Sequence, residues 1–257
     1  MSGHSKWKSI KNQKGVADAK RGQIFTKVTR EIIIAVRQGG SSSESNYRLR
    51  LAVQKARDNN MPFENIDRAI KRGSGDTEGA ILVEMILEGY GPSGVAILVQ
   101  ALSDNRNRTV QEIRNVFTRH GGSLGESGCV AWLFDSRGLI TVDASNLDIE
   151  VLTLMAIDAG AEDVNVEDGF VEIDTKPDKL MAIRTTLEQG KIPITSAEVS
   201  MVAKTTLELE EKAALKTLNL LHKLEELDDV QYVTSNVNFS DAVLKKYQEE
   251  AVTTTRA

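Results

Sequence analysis

The fold of the N-terminal region is decided by residues 17–38, which read ADAKRGQIFTKVTREIIIAVRQ. Large apolar side chains recur there at three- and four-residue spacing, and this periodicity predicts an amphipathic helix. They are Phe25, Val28, Ile32 and Val36. At about 100° per residue, basic side chains gather on the opposite face of the same helix. They are Lys20, Lys27, Arg30 and Arg37. We therefore expect an apolar stripe for a core and a single basic ridge.

Two further amphipathic helices are predicted after this one. Gly39 and Gly40 end the first helix, and residues 46–59 and 62–73 carry the next two, with Pro62 suited to a first helical turn. Short helices with one apolar stripe can bury it only against one another or against a neighbour. The sequence therefore predicts a small helical domain over residues 1–75, which begins with a basic arm.

Charge is distributed unevenly along the 257 residues. Residues 1–73 contain sixteen Lys or Arg and six Asp or Glu, so this block has a net charge of +10. The remaining residues have a net charge of −15, and the whole chain has −5. A basic head on an acidic body is typical of a protein with an anionic partner, most often nucleic acid.

The candidate nucleic-acid contacts are the cations of this head, together with two arginines that precede a predicted helix in the body. They are Lys6, Lys8, Lys11, Lys14, Lys20, Arg21, Lys27, Arg30, Arg37, Arg48, Arg50, Lys55, Arg57, Arg68, Lys71, Arg72, Arg106 and Arg108. The alternative is that these side chains only solvate helix faces. Clustered cations with few interspersed acids favour phosphate contact. No helix-turn-helix spacing is evident, so the sequence does not indicate base-specific reading.

The acidic body begins with a predicted sheet. Residues 81–88 and 95–102 are strand-like, and the second is apolar throughout, which is typical of a central strand. Residues 104–108 are expected to form a polar loop. Thr109 and Glu112 form a predicted capping box that opens a helix. Another strand is predicted at residues 129–134.

Residues 138–202 predict a second sheet, because their strands and helices follow the order βαββαβ of ferredoxin-like domains. The helix at 211–227 and the strand at 230–237 then lack partners, and we assign them to the sheet begun at Ile81. The expected fold class is α+β: a helical N-terminal domain followed by two α/β domains, the last ferredoxin-like and inserted into the middle one. The predicted domains cover residues 1–75, 76–135 plus 206–240, and 136–205. A C-terminal tail is expected at 241–257, where a short helix frays.

The sequence gives no sign of a catalytic, cofactor-binding or metal-binding residue. Gly89, Gly91 and Gly94 match G-x-G-x-x-G, but a strand-like run follows directly, so a hairpin turn is expected instead of a dinucleotide site. The single cysteine, Cys129, favours a reducing compartment, and the start of the chain is polar and basic. We expect a cytoplasmic monomer that is not an enzyme and does not contact membranes.

The sequence resembles the YebC/PmpR family over about residues 2–238. The matching blocks in the head are Gly3-His4-Ser5-Lys6-Trp7, Asp18-Ala19-Lys20-Arg21-Gly22, Ile24-Phe25-Thr26-Lys27, Arg30-Glu31-Ile32, Arg48-Leu49-Arg50-Leu51-Ala52-Val53, Lys55-Ala56-Arg57, Asn60-Met61-Pro62 and Ala69-Ile70-Lys71-Arg72-Gly73. Those in the body are Glu88-Gly89-Tyr90-Gly91-Pro92, Asp104-Asn105-Arg106-Asn107-Arg108-Thr109, His120-Gly121-Gly122, Leu124-Gly125-Glu126-Ser127-Gly128 and Asp228-Asp229-Val230-Gln231.

This resemblance implies a three-domain protein without catalytic residues or cofactor. It also implies one of two nucleic-acid partners: DNA, for a transcriptional regulator, or ribosomal RNA, for a translation factor such as the mitochondrial translational activators. The sequence does not choose between them. Two departures from the family pattern are Ala203, where a proline is usual and a looser linker is expected, and Asn12-Gln13, which weakens the basic arm.

Overall fold

The computed structural model describes residues 18–75, 81–167 and 169–254. The predicted basic arm, including Asn12 and Gln13, lies outside these residues. The described residues form eight α-helices: α1 (Asp18–Gly39), α2 (Tyr47–Asp58), α3 (Phe63–Gly73), α4 (Arg106–Arg119), α5 (Ile149–Asp158), α6 (Leu180–Gln189), α7 (Glu211–Glu225) and α8 (Asp241–Thr254). The strands are β1 (Val83–Tyr90), β2 (Ala96–Ser103), β3 (Ser123–Leu124), β4 (Phe134–Asp143), β5 (Asp163–Glu167), β6 (Phe170–Thr175), β7 (Ile194–Ala203), β8 (Leu207–Glu208), β9 (Val230–Ser235) and β10 (Val237–Asn238).

Helices α1 to α3 form the helical region, and their apolar stripes share one core as expected. Ile32 of α1, Leu49 of α2 and Ile66 of α3 are each at most 3% exposed in that core. The close approach of α3 to α1 depends on Gly73, where an added Cβ would lie 2.7 Å from the Cβ of Val36. The periodicity of the sequence therefore predicted the inner faces of these helices, with one error: Phe63, which the same spacing places inward on α3, is 72% exposed.

Asn46 fixes the angle between α1 and α2. Its side-chain oxygen caps α2 by accepting the Leu49 N–H at 3.0 Å, and its amide donates to the carbonyls of Ala35 and Gly40, each at 2.7 Å. The residue is buried, so water could not replace its side chain. Without it, the Leu49 N–H and the carbonyls of Ala35 and Gly40 would each lose a hydrogen-bond partner. One side chain thus joins the end of one helix to the start of the next.

We expect Asn46→Ala to lower the free energy of unfolding by about 2 kcal/mol, since it removes an N-cap and two buried hydrogen bonds. Chemical denaturation followed by circular dichroism measures the change. Ser45→Ala is the matched control, because Ser45 is exposed and its hydroxyl makes only a 3.5 Å contact with the Ser42 carbonyl. Equal losses for the two variants would contradict the role given to Asn46.

The first sheet has the strand order β3-β1-β2-β9. Strand β2 is central and buried along its length, as the apolar run predicted. Its neighbour β9 comes from the far end of the chain and pairs with it antiparallel, so this sheet is completed only after the second sheet has been formed in sequence order. One face of the sheet packs on α4, α7 and α8 through a core that includes Phe117 and Leu221.

The second sheet has the strand order β5-β6-β4-β7, and all of its neighbouring strands are antiparallel. Helices α5 and α6 pack on it through Leu152, Ile183 and Leu187, which are fully or almost fully buried. This is the order expected of a ferredoxin-like βαββαβ unit. The predicted α+β class, a helical part followed by two α/β parts with antiparallel sheets, is therefore confirmed.

Two local predictions in the body were wrong. Residues 129–133 are not a strand, because their backbone N–H groups turn toward the Glu88 carboxylate, and β4 begins only at Phe134. Residues 106–108 of the loop expected at 104–108 already belong to α4, whose cap is Asn105 instead of Thr109. The hairpin expected at the G-x-G-x-x-G match is confirmed, since Tyr90 pairs with Ala96 across it.

Two segments in the C-terminal part of the described chain lie in regular secondary structure. Ala203, where a looser linker was predicted, is the last residue of β7 and pairs with Phe134. The expected short helix at the end is the longer α8, which docks on the first core through Val243, Leu244 and Tyr247. Apolar anchors at these positions hold both segments.

Candidate nucleic-acid interface and the junction that positions it

The polar side of α1 lies against the turn that joins α7 to β9. Gln23 Nε2 donates to the carbonyl of Glu226 at 2.6 Å, and Lys27 Nζ donates to the carbonyl of Glu225 at 2.7 Å. The last carbonyls of a helix have no partner within the helix and carry the negative end of its dipole. Lys27 and Gln23 therefore act as a C-terminal cap for α7, supplied by the helical head.

Arg30 continues this contact one turn further along α1. Its Nη1 lies 2.5 Å from the carbonyl of Asp228 and 2.8 Å from Oδ1 of Asp229. The Arg30 side chain is 21% exposed and that of Asp229 is 5% exposed. This is a partly buried, charge-assisted contact between segments about 200 positions apart in the chain.

Asp229 is the centre of the junction. Besides Arg30, its carboxylate accepts hydrogen bonds from Ser103 Oγ at 2.8 Å, from Arg108 Nη2 at 3.0 Å and from Thr109 Oγ1. Burial alone would raise the pKa of this carboxyl group, but the hydrogen bonds from Thr109, Arg108 and Ser103 and the charge of Arg30 outweigh burial and lower it. Asp229 is therefore held as a carboxylate that joins α1, α4 and β9.

A second contact joins the head to β9 through Lys55. The ammonium nitrogen of Lys55 lies 3.0 Å from Oε2 of Glu31 and 2.5 Å from the hydroxyl of Tyr232, which in turn donates to Glu31 Oε1 at 3.2 Å. Burial would lower the pKa of Lys55, but the negative charge of Glu31 and the Tyr232 hydroxyl reverse this effect and raise it. Burial, reinforced by Glu31, raises the pKa of Tyr232.

Two arginine–carboxylate pairs complete the attachment. Arg48 meets Glu84 of β1 with both terminal nitrogens, at 2.7 and 3.0 Å. In the second pair the arginine belongs to the body and the acid to the head: Arg184 of α6 donates to Asp58 at the end of α2, at 3.0 and 3.1 Å. The two-point geometry of such pairs fixes orientation as well as distance. The head is thus attached to both sheets.

The predicted site residues consequently fall into three groups. Lys6, Lys8, Lys11 and Lys14 lie outside the described residues, and the side chain of Lys20 is likewise not described. A second group has interaction partners within the protein, and these residues are Arg21, Lys27, Arg30, Arg48, Arg50, Lys55, Lys71 and Arg108. The third group is exposed, and within the described ranges its side chains form no ion pair or hydrogen bond. It comprises Arg37, Arg57, Arg68, Arg72 and Arg106.

The single basic ridge expected on α1 is therefore divided. Lys27 and Arg30 face the α7–β9 turn, whereas Arg37 is exposed near the end of the helix. Arg37 and Arg72 adjoin Val36 and Gly73, which touch across α1 and α3, so these two arginines lie at the same end of the head. Arg68 precedes Arg72 by one turn of α3, and the two share a face.

Four residues that hold the head on the body were not predicted from the sequence. Asp229, Tyr232, Glu31 and Gln23 were given no role, although Asp229 and Glu31 stand inside blocks by which the family resemblance was recognised. An acidic residue inside a block that matches the family was the sequence signal that could have pointed to Asp229 and Glu31. Arg106, predicted to lie near a helix N-terminus, is on the first turn of α4 and exposed.

Within residues 18–75, 81–167 and 169–254, no group of three or more His, Cys, Asp or Glu is placed to hold a metal ion. None of the helices described combines the length and the apolar character that a membrane crossing needs.

A three-helix head attached by ion pairs to two antiparallel sheets defines an α+β protein of three packed parts. Models of the TACO1/YebC N-terminal domain and of the TACO1/YebC second and third domain match residues 5–76 and 82–237. The chain belongs to the TACO1/YebC family.

Relatives and a solved structure match over nearly the full length. A probable transcriptional regulatory protein of Dehalococcoides mccartyi is 57% identical over 251 residues, which cover 98% of this chain and all of the relative. Another, from Roseiflexus castenholzii, is 52% identical and covers 96% of this chain and 99% of the relative. The crystal structure of a conserved hypothetical protein from Aquifex aeolicus is 47% identical and has a TM-score of 0.80. That match covers 87% of this chain and 93% of the other.

Proposed function

We propose that this protein is a nucleic-acid-binding regulator of gene expression, most simply a DNA-binding transcriptional regulator, and that it binds through its helical head without catalysing a reaction. The observation that carries the proposal is the group of exposed arginines on the head, Arg37, Arg57, Arg68 and Arg72, whose side chains have no acceptor among the described residues. The names of the relatives, which are probable transcriptional regulatory proteins, support a regulatory role.

The proposed contact is with phosphate groups. Each phosphate neutralised by an arginine releases counterions, and this gain supplies most of the affinity of non-specific binding. The engaged cations, such as Lys27 and Lys55, hold the head on the body and leave the exposed arginines to face a ligand. The net charge of −15 on the rest of the chain repels a nucleic-acid backbone, so it orients the head toward the ligand.

A translation factor that contacts ribosomal RNA is the second candidate. The exposed arginines are spread over the ends of α1 and α2 and one face of α3, instead of following one helix that could enter a major groove. Such a distribution suits contact with a phosphate backbone, and structured RNA offers that as well as DNA does. Crosslinking in cells and sequencing of the recovered nucleic acid separates the two: promoter DNA supports the first candidate and ribosomal RNA the second.

We expect the double variant Arg68→Glu/Arg72→Glu to bind a 30-base-pair duplex about tenfold more weakly near 100 mM salt, because two phosphate contacts are lost. The slope of log affinity against log salt concentration should also decrease by about two, since each contact contributes roughly 0.9. Fluorescence anisotropy of a labelled duplex across a salt series measures both quantities.

The matched control is Lys179→Glu/Lys191→Glu, which makes the same change in net charge at exposed positions flanking α6 in the body. This control should keep the salt slope of the unmodified protein. Equal weakening by the two double variants would mean that only overall charge matters. Unchanged binding of Arg68→Glu/Arg72→Glu would remove α3 from the interface.

A further inference from the structure

Helix α5 has apolar side chains on two opposite faces. Leu152 and Ala156 face the core of the second sheet and are at most 1% exposed. On the other side Val151, Leu154 and Ile157 follow one another at three-residue spacing, with exposed fractions of 53%, 62% and 53%. A surface helix normally carries only one apolar face, so the second face is surplus to what the fold requires.

A further exposed apolar side chain lies on the strand beside this helix. Val166 lies on β5, the edge strand that α5 packs beside, and is 48% exposed. Single exposed apolar residues are ordinary, but a contiguous group of large ones on a folded protein marks an interaction site. We name the surface formed by Val151, Leu154, Ile157 and Val166 the α5 face.

The charge around the α5 face is of one sign. Residues 138–175 contain ten Asp or Glu and no Lys or Arg. Glu150 and Asp158 lie on the exposed side of the helix between the apolar residues, at about 100° per residue, and neither has an ion-pair partner among the described residues. Glu162 and Asp174 pair with Arg137, so the negative charge beside the apolar side chains comes from Glu150 and Asp158.

This combination selects the kind of partner. Nucleic acid and anionic membrane surfaces are repelled by the acids. A second copy of the chain meeting this face through a two-fold axis would place Glu150 and Asp158 against the same acids. A protein segment with an apolar stripe bordered by Lys and Arg satisfies both the apolar centre and the acidic surroundings.

We propose that the α5 face binds a basic amphipathic helix of another protein. The apolar stripe of that helix covers Leu154 and its neighbours, and its flanking cations pair with Glu150 and Asp158. This surface is separate from the arginines of the head, so one molecule can hold nucleic acid and a basic protein at the same time. The inference does not depend on which nucleic acid the head binds.

The test uses the full chain and a fluorescein-labelled 18-residue peptide of Leu and Lys, arranged as an amphipathic helix. The variant Val151→Ser/Leu154→Ser/Ile157→Ser should bind it at least about tenfold more weakly near 150 mM salt, because the apolar anchors dominate such interfaces. The variant Glu150→Lys/Asp158→Lys should also bind it more weakly. Ile86→Ser is the matched control, since Ile86 is 54% exposed on β1, and it should leave binding unchanged.

All five positions in the two α5 variants are exposed, so circular dichroism should report an unchanged fold. A peptide with the same Leu positions and Glu in place of Lys should not bind. Equal binding of the Lys peptide to the unmodified protein and to both α5 variants would overturn the proposal. Photo-crosslinking from position 154 in cells should yield a Lys- or Arg-flanked apolar segment of another protein, and a crosslink to a second copy or to nucleic acid would also overturn it.

Discussion

Replacing Asp229 with alanine is expected to lower the free energy of unfolding by about 3–4 kcal/mol at neutral pH, because it leaves buried donors without an acceptor. Ser103 and Thr109 are both fully buried and lose the carboxylate that they share. Arg30 keeps the carbonyl of Asp228 but loses its charged partner. The loss should be concentrated in the attachment of the head.

Denaturation by urea measures the total change, and hydrogen exchange within α1 shows where it is located. Asp228→Ala is the matched control: the side chain of Asp228 is exposed, and its only described contact is Gln23 Nε2 at 3.3 Å, so we expect a loss below about 1 kcal/mol. If the two neighbouring variants were equally stable, Asp229 would not be the centre of the junction.

The same carboxylate makes stability depend on pH. Folding lowers the pKa of Asp229, so its contribution is fully present above the ordinary aspartate pKa of about 4 and is lost as the pH falls through the lower folded-state value. Asp229→Asn should remove this part of the acid dependence while keeping an acceptor for Thr109. Denaturation curves between pH 7 and the acid limit, compared between the two proteins, measure the difference.

Glu88→Ala should lower the free energy of unfolding by about 3 kcal/mol, because three backbone N–H groups lose the buried carboxylate that accepts their hydrogen bonds. Oε1 accepts the N–H of Gly128 at 2.6 Å, and Oε2 accepts those of Val130 and Ala131, each at 2.7 Å. Burial would raise the pKa of Glu88, and these N–H groups reverse the effect and lower it. The carboxylate therefore holds the loop before β4 in place.

Glu84 provides the comparison for Glu88, because it lies four residues earlier on β1 and its side chain is 42% exposed. Glu84→Ala breaks a surface pair with Arg48 and should cost below about 1 kcal/mol. Glu88→Gln, which keeps one acceptor oxygen, should lie between the two alanine variants. A loss for Glu88→Ala no larger than that for Glu84→Ala would show that solvent replaces the carboxylate.

The helical region was predictable because its signal is local. The three- and four-residue spacing that includes Ile32 depends only on the chain within a few turns, and the structure buries that stripe. The return of β9 to the first sheet was also predictable, since a helix and a strand with no partners must pack on an existing layer. The boundary between Asn105 and Thr109 was not predictable, because both are good capping residues and the Thr109 hydroxyl is claimed by Asp229, 120 residues away.

The candidate site was only partly predictable, for a related reason. Lys27 and Arg37 look equivalent in the sequence, yet Lys27 donates to a backbone carbonyl at position 225 and Arg37 is exposed. Backbone carbonyls leave no mark in a sequence, and the partners lie 198 residues apart, so no local pattern could separate engaged cations from open ones. A count of positive charges therefore locates the head, but it overestimates the number of cations that are exposed and available to a ligand.

The late position of Asp229 in the chain has a consequence for biosynthesis. The head is made first, but the acceptors for Gln23, Lys27 and Arg30 are translated about 200 residues later. At typical elongation rates of about 5–20 residues per second, this interval lasts roughly 10–40 seconds. During that time the nascent head carries more unneutralised positive charge than the finished protein. Once the α7–β9 turn has been made, Arg30 gains its carboxylate partner and Lys27 its carbonyl acceptor, and the cationic surface of the head decreases.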